Sequence, residues 1–144
     1  MTYNQVVTEI NDLLTSHAMI KTVRFASPLE WLNWDDQPTF PLACYTINSG
    51  GLNAGREQVY SINFWFLDKS GKEGEFETDV TSDQHSICAD IISKMRSNSQ
   101  EYLIDTNINW TAISEKFEDY LSGIKLTIDL SAMNAVGACD IPTI

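Results

Sequence analysis

Basic side chains are scarce in this 144-residue chain: 9 lysines and arginines stand against 20 aspartates and glutamates, for a formal net charge of −11. A surface of that sign disfavours a direct grip on nucleic acid or on an anionic membrane, since both reward positive charge. It leaves room for an acidic ring that lines a channel and lets DNA slide without sticking. Long apolar runs are also missing. None approaches the roughly 18 residues of a membrane span, so no span is expected. The opening MTYNQVVTEIND has no basic region ahead of an apolar core and does not read as a signal peptide. Cysteines number three, Cys44, Cys88 and Cys139, and lie far apart. An odd count without tight spacing argues for reduced thiols and intracellular synthesis. Cys139 has no nearby cysteine or histidine with which to hold zinc.

Chemical motifs are equally sparse. The two histidines, His17 and His85, are isolated. There is no His-Glu-x-x-His, no Cys-x-x-Cys, no Gly-x-Gly-x-x-Gly after a strand and no Walker loop. A site can be assembled from distant residues. Even so, these side chains give little support to acid–base or nucleophilic chemistry, and the expectation is a non-enzyme with no cofactor and no metal.

What is present is a core. Hydrophobic residues make up 43% of the chain, enough for one domain without staples. Its centre is the stretch Arg56 to Leu67, REQVYSINFWFL. With side chains alternating along a strand, Tyr60, Ile62, Phe64 and Phe66 form one apolar face, expected to lie on helices. Val59, Ser61, Asn63, Trp65 and Leu67 form the other, expected to be half-buried. The fold class implied is α+β: a single domain, mainly an antiparallel sheet with two principal helices on one face.

Around that strand the chain falls into order. Thr2 and Gln5 fit a capping box, and Val6, Val7, Ile10, Leu13 and Leu14 recur at helical spacing over about Tyr3 to Ser16. His17 then suits a helix end, facing the last carbonyls. Thr22 to Ala26 reads as a short strand. Ser27-Pro28 opens a helical turn carrying Trp31 and Trp34, three apart, as either a cover for the core or rigid interface anchors. Asp35-Asp36 lacks the further oxygen ligands of a cation site. Leu42 to Asn48 predicts a strand with Ala43, Tyr45 and Ile47 on one side and Leu42, Cys44 and Thr46 on the other. Gly50, Gly51, Leu52 and Asn53 fall in a glycine-rich connection, either plain loop or a hairpin that reaches a neighbour. The acids Glu73, Glu75, Glu77 and Asp79 suggest a charged edge strand.

A second helix is expected to start near Ser82 or Asp83, on a Thr81–Gln84 capping box, with Ile87, Cys88, Ile91, Ile92 and Met95 buried. Short strands follow from Tyr102 and from Ile108, the latter with Trp110 and Ala112 on one side. The segment from Glu115 to Leu121 fits either a helical turn or an extended chain. Ile124, Leu126, Ile128 and Leu130 then alternate with Lys125, Thr127 and Asp129, the clearest half-buried strand, from about Gly123 to Leu130. The tail from Ser131 ends in apolar residues, with Ile141 and Ile144 as candidates for packing on a neighbour.

The element order resembles that of the tail-terminator and tail-completion proteins of tailed bacteriophages. The stretch FEDYLSGIKLTI over 117–128, followed by Cys139-Asp140-Ile141-Pro142, is similar to the C-terminal end of small virion proteins of Bacteroidota phages, including crAss-like phages. The likeness covers most of the chain in architecture and its last quarter in motif. It implies a structural virion protein made in the host cytoplasm. Such a protein forms a homo-oligomeric, often hexameric, ring at the end of a tail tube or between portal and tail. Its partners would be tube, portal or connector proteins, DNA would pass through the lumen without sequence-specific binding, and no residue would be catalytic. The candidate interface residues are then Trp31, Trp34, Gly50, Gly51, Leu52, Asn53, Trp65, Ile141 and Ile144. The alternative is an adaptor or inhibitor that binds another protein through its aromatic face; a small enzyme is the third reading.

Overall fold

The chain is described by a computed structural model over residues 1–28, 38–71, 75–98, 101–116 and 120–133. Trp31, Trp34, Asp35, Asp36, Glu73, Cys139, Ile141 and Ile144, with the expectations attached to them, lie outside the described residues.

The first helix, α1 (Tyr3–Thr15), begins as its sequence requires. The Gln5 backbone N–H donates to Thr2 Oγ1 at 3.2 Å, and the Thr2 N–H donates to Gln5 Oε1 at 2.7 Å. This reciprocal cap satisfies two of the orphan donors of a helix start. Val6, Ile10, Leu13 and Leu14 are buried along one side. The expected stripe also named Val7, which is partly buried and packs on the same core.

The sheet has six strands: β1 (Thr22–Arg24), β2 (Leu42–Leu52), β3 (Glu57–Lys69), β4 (Leu103–Ile104), β5 (Trp110–Lys116) and β6 (Tyr120–Met133). The order is β1-β2-β3-β6-β4, with β5 also paired to β6. Only the β1–β2 pair is parallel. β4 meets Leu130 and Ser131 while β5 meets residues 120–126, so the two share one side of β6 in succession. The second helix, α2 (Glu77–Ser97), lies with α1 on one face of the sheet. The molecule is thus a single α+β domain with a mixed, mainly antiparallel sheet.

The alternation expected for the central strand is the observed one. Ile62, Phe64 and Phe66 are buried against α1 and α2, beside Ala43, Tyr45 and Ile47 of β2 and Ile124, Leu126, Ile128 and Leu130 of β6. Register explains the match, since Phe64 sits opposite both Tyr45 and Leu126. The opposite face is smaller and split. Leu42, Cys44, Leu67 and Leu121 form a second buried cluster, against which Phe40, Trp65 and Ile113 pack. Beyond it the face turns polar. Asn63 donates to Thr46 Oγ1 at 3.3 Å and accepts from Thr127 Oγ1 at 2.8 Å, while Ser61 donates to Asp129 at 2.6 Å. Asn63 and Ser61 therefore bridge three strands rather than interrupt an apolar one.

Three local expectations are corrected. First, the expected loop over Gly50 and Gly51 is strand: β2 continues to Leu52, past an irregularity between Ile47 and Ser49. Neither glycine has positive φ; that conformation belongs to Gly55 (φ 76°) and Arg56 (φ 66°) at the tip. Second, α2 starts at Glu77, not near Ser82, and its first residues include acids expected in an edge strand. Glu77 and Asp79 in the first turn oppose the positive end of the helix dipole, which extends the helix beyond the Thr81–Gln84 box. Gln84 is buried at the head of the apolar stripe. Third, His17 accepts from the Met19 N–H through Nδ1 at 3.1 Å, so its proton lies on Nε2, 2.9 Å from Asp90 Oδ2 of α2. It ties the two helices together and does not cap its own. Of the two forms open for residues 115–121, the described ones take the extended form and pair β5 with β6.

Gly123 shows how tightly the central pair is laid. A Cβ added there would meet the Phe66 carbonyl oxygen at 1.8 Å and Leu67 Cα at 3.1 Å, all backbone that cannot step aside. Gly123→Ala is expected to destabilise the fold by about 3 kcal/mol. Urea denaturation of the purified variant measures it, and a loss under about 1 kcal/mol would mean that β3 and β6 can separate at this point.

Candidate functional site

Of the residues singled out by sequence, those that are described are not gathered into one place. Gly50, Gly51 and Leu52 lie at the free end of the β2–β3 ribbon, with Asn53 at its turn. Trp65 lies near the other end of β3, on the sheet face away from the helices.

The ribbon tip is the more exposed of these regions. Its end is closed by the Asn53 N–H donating to the Glu57 carbonyl at 2.8 Å and by Asn53 Nδ2 donating to Glu57 Oε1 at 3.1 Å. A short 3₁₀ turn, Ala54–Arg56, completes it. Leu52 is 81% exposed, the most exposed of the large apolar side chains described. Gly50 has a structural duty there, because a Cβ would strike the Val59 carbonyl oxygen at 2.1 Å. Its role is close strand approach rather than loop freedom.

Trp65 is half-buried. It packs against the Leu42–Cys44–Leu67–Leu121 cluster, and Lys125 Nζ stands 5.6 Å from its ring centre. Lysine and indole thus cover one another in a cation–π contact. This placement makes Trp65 a lid on the second core before it is anything else.

A third region was missed by sequence reading. The start of α2 and β5 enclose a groove of about 510 Å³ lined by Glu77, Thr81, His85, Trp110 and Ile124 among others. Trp110 is 51% exposed and meets His85 edge-to-face at 4.9 Å. Glu77 and His85 are eight residues apart on one helix, which puts them about two turns apart on one side, with Thr81 on the turn between. The signal in the sequence was hidden because Glu77 was assigned to a strand.

The geometry holds little chemistry. Among the described residues no three His, Cys, Asp or Glu side chains come together as metal ligands. Ser70, Gln84 and Ser122 bury polar atoms without a protein partner. Asp68, opposite Ser122, accepts instead from the Lys69 N–H at 2.8 Å, so neither serine has a base in contact. Burial pushes the Asp68 carboxyl above its ordinary range, with the nearby Asp83 adding to the effect. Burial likewise pushes the Cys44 thiol up to about 12, against a smaller opposing pull from Arg24, and the Cys88 thiol up to about 11. Both are inert thiols held as small hydrophobes. Compared with known protein families and with curated proteins, the chain matches none.

Two outcomes follow for the second core. Trp65→Ala is expected to lower stability by about 2 kcal/mol, below the range for a fully buried tryptophan because the ring is only partly buried. Chemical denaturation decides it, and a loss under about 0.5 kcal/mol would free Trp65 for an external partner. For Cys44 the folded-state value lies above the ordinary 9.0, so the folded chain holds the proton more tightly. The stability this gives is complete below pH 9.0 and is lost as pH climbs toward about 12. Denaturant midpoints measured at rising pH should fall over that window, less steeply in Cys44→Ala; equal slopes would remove Cys44 from the linkage.

Proposed function

We propose that this protein is a non-catalytic structural subunit that builds a homo-oligomeric ring, at the head-proximal end of a phage tail or in the head–tail connector. The observation that carries the reading is the β2–β3 ribbon, which presents Leu52, 81% exposed, on a hydrogen-bonded tip. A hydrogen-bonded turn that carries an apolar side chain beside it has a shape suited to reaching into a neighbouring subunit. The α+β architecture, with a mixed sheet and both helices on one face, is of the kind that the resemblance to tail-terminator proteins implies. The net charge of −11 suits a lumen past which DNA must move without adhering.

A second reading, a protein-binding adaptor, draws on a different feature. β5 pairs with β6 alone, and Trp110, Thr111 and Ala112 along it are exposed. A strand of a partner could add to that edge.

Native mass by light scattering, over a range of concentration and salt, separates the two. A closed species of about six copies is expected for the ring. A chain that stays monomeric throughout and captures one partner at unit stoichiometry would replace the ring with the adaptor.

A further inference from the structure

We infer that the ribbon tip of one copy docks into the groove between α2 and β5 of a second copy, with Leu52 and Arg56 as the inserted side chains. The inference rests on the ring reading and names its contact.

The two surfaces lie apart on the subunit. The turn Asn53–Arg56 extends beyond the Glu57–Met133 pair, and Trp110 pairs with Leu126 near the middle of β6. Seven residues of β6 separate these points, roughly 23 Å at ~3.3 Å per residue. Across that distance a copy cannot fill its own groove. A contact between unlike surfaces is heterologous, and it closes into a ring when the rotation per subunit allows.

Their chemistry is complementary. The groove has an apolar floor from Trp110 and Ile124 and an acidic lip at Glu77, with Asp79 in the same helical turn and Glu75 just before it. The tip offers an apolar side chain and a cation. Glu57 at the tip is engaged by Asn53, and Arg56 has no partner among the described residues. In a chain of net charge −11, copies repel one another, so a contact that places a guanidinium against carboxylates counts for more than its single pair suggests. The full negative charge of Glu77, the acid that lines the groove, outweighs the roughly half positive charge of the helix end.

The backbone adds an independent sign. Arg56 holds φ at 66°, a left-handed conformation that L side chains rarely adopt, directly after Gly55 at 76°. Glycine would serve the turn without strain, yet an arginine stands there. The strain is accounted for by what the side chain does outside the subunit.

The test uses full-length chain under conditions where the wild type assembles. Arg56→Gly is expected to fold at least as stably as wild type, by thermal melting, while its association weakens about 30-fold by light scattering. Leu52→Asp and Glu77→Arg should each leave folded monomers. Mixing those two variants should give a dimer and nothing larger, because one intact tip meets one intact groove. The pair Arg56→Glu with Glu77→Arg in one chain should recover assembly. A wild-type ring whose mass is unchanged by Leu52→Asp and Arg56→Gly would overturn this contact and leave the ring reading standing. A wild type that remains monomeric at every concentration would overturn the ring reading itself.

Discussion

The pairing of β3 with β6 is the constraint on which the rest depends. It runs unbroken in register from Glu57 opposite Met133 to Lys69 opposite Leu121. Every other layer is referred to it. β2 is laid against the far side of β3, β4 and β5 against the far side of β6, and both helices cover the face that the pair makes apolar. Because side chains alternate with period two, a slip of one residue would turn Ile62, Phe64 and Phe66 toward water and bring Asn63 and Trp65 under the helices. The polar bridges from Asn63 to Thr46 and Thr127 hold the register from the opposite side. Gly123 sets how near the two backbones lie. Hydrophobic burial fixes which face goes in, and side-chain hydrogen bonds and a missing Cβ fix where along the strand it does so.

That division gives the sheet two unlike faces. The helix side is one continuous core, from Val6 of α1 to Ala132 of β6. The other side has a small core around Cys44 and Leu67 and a polar ladder beside it. The protein's exposed apolar side chains include Leu52 at the ribbon tip and Trp110 beside the groove.

Sequence reading went wrong where a local signal competed with a longer one. Thr81 and Gln84 have the spacing of a cap, but the acids at Glu77 and Asp79 are more favourable at a helix start, and Gln84 faces the core from within the helix. Gly50 and Gly51 look like loop because glycine is permissive, whereas here Gly50 is required by the approach of Val59 across the strand pair. His17 lies near the helix end as its position suggested, but its bond to Asp90 is 73 residues distant in the chain and has no local signature. The groove between α2 and β5 was invisible for the same reason: Glu77, His85, Trp110 and Ile124 share no motif, and only packing brings them together.

By itself, then, the sequence determined the α+β class, the inward faces of β3 and β6, and the start of α1, because alternation and capping depend on residues close in the chain. It also marked Leu52 and Asn53 as a connection of interest. Tertiary structure decided what depends on distant residues: the strand order, the parallel entry of β1, the length of the ribbon and the seat of Trp65 as a lid on a second core. It likewise decided that Arg56 stands strained at a tip without a partner among the described residues, with an acidic, apolar groove some seven residues of strand away from it. Periodicity is a property of neighbours along the chain, whereas register, close backbone approach and surface complementarity exist only once strands have met.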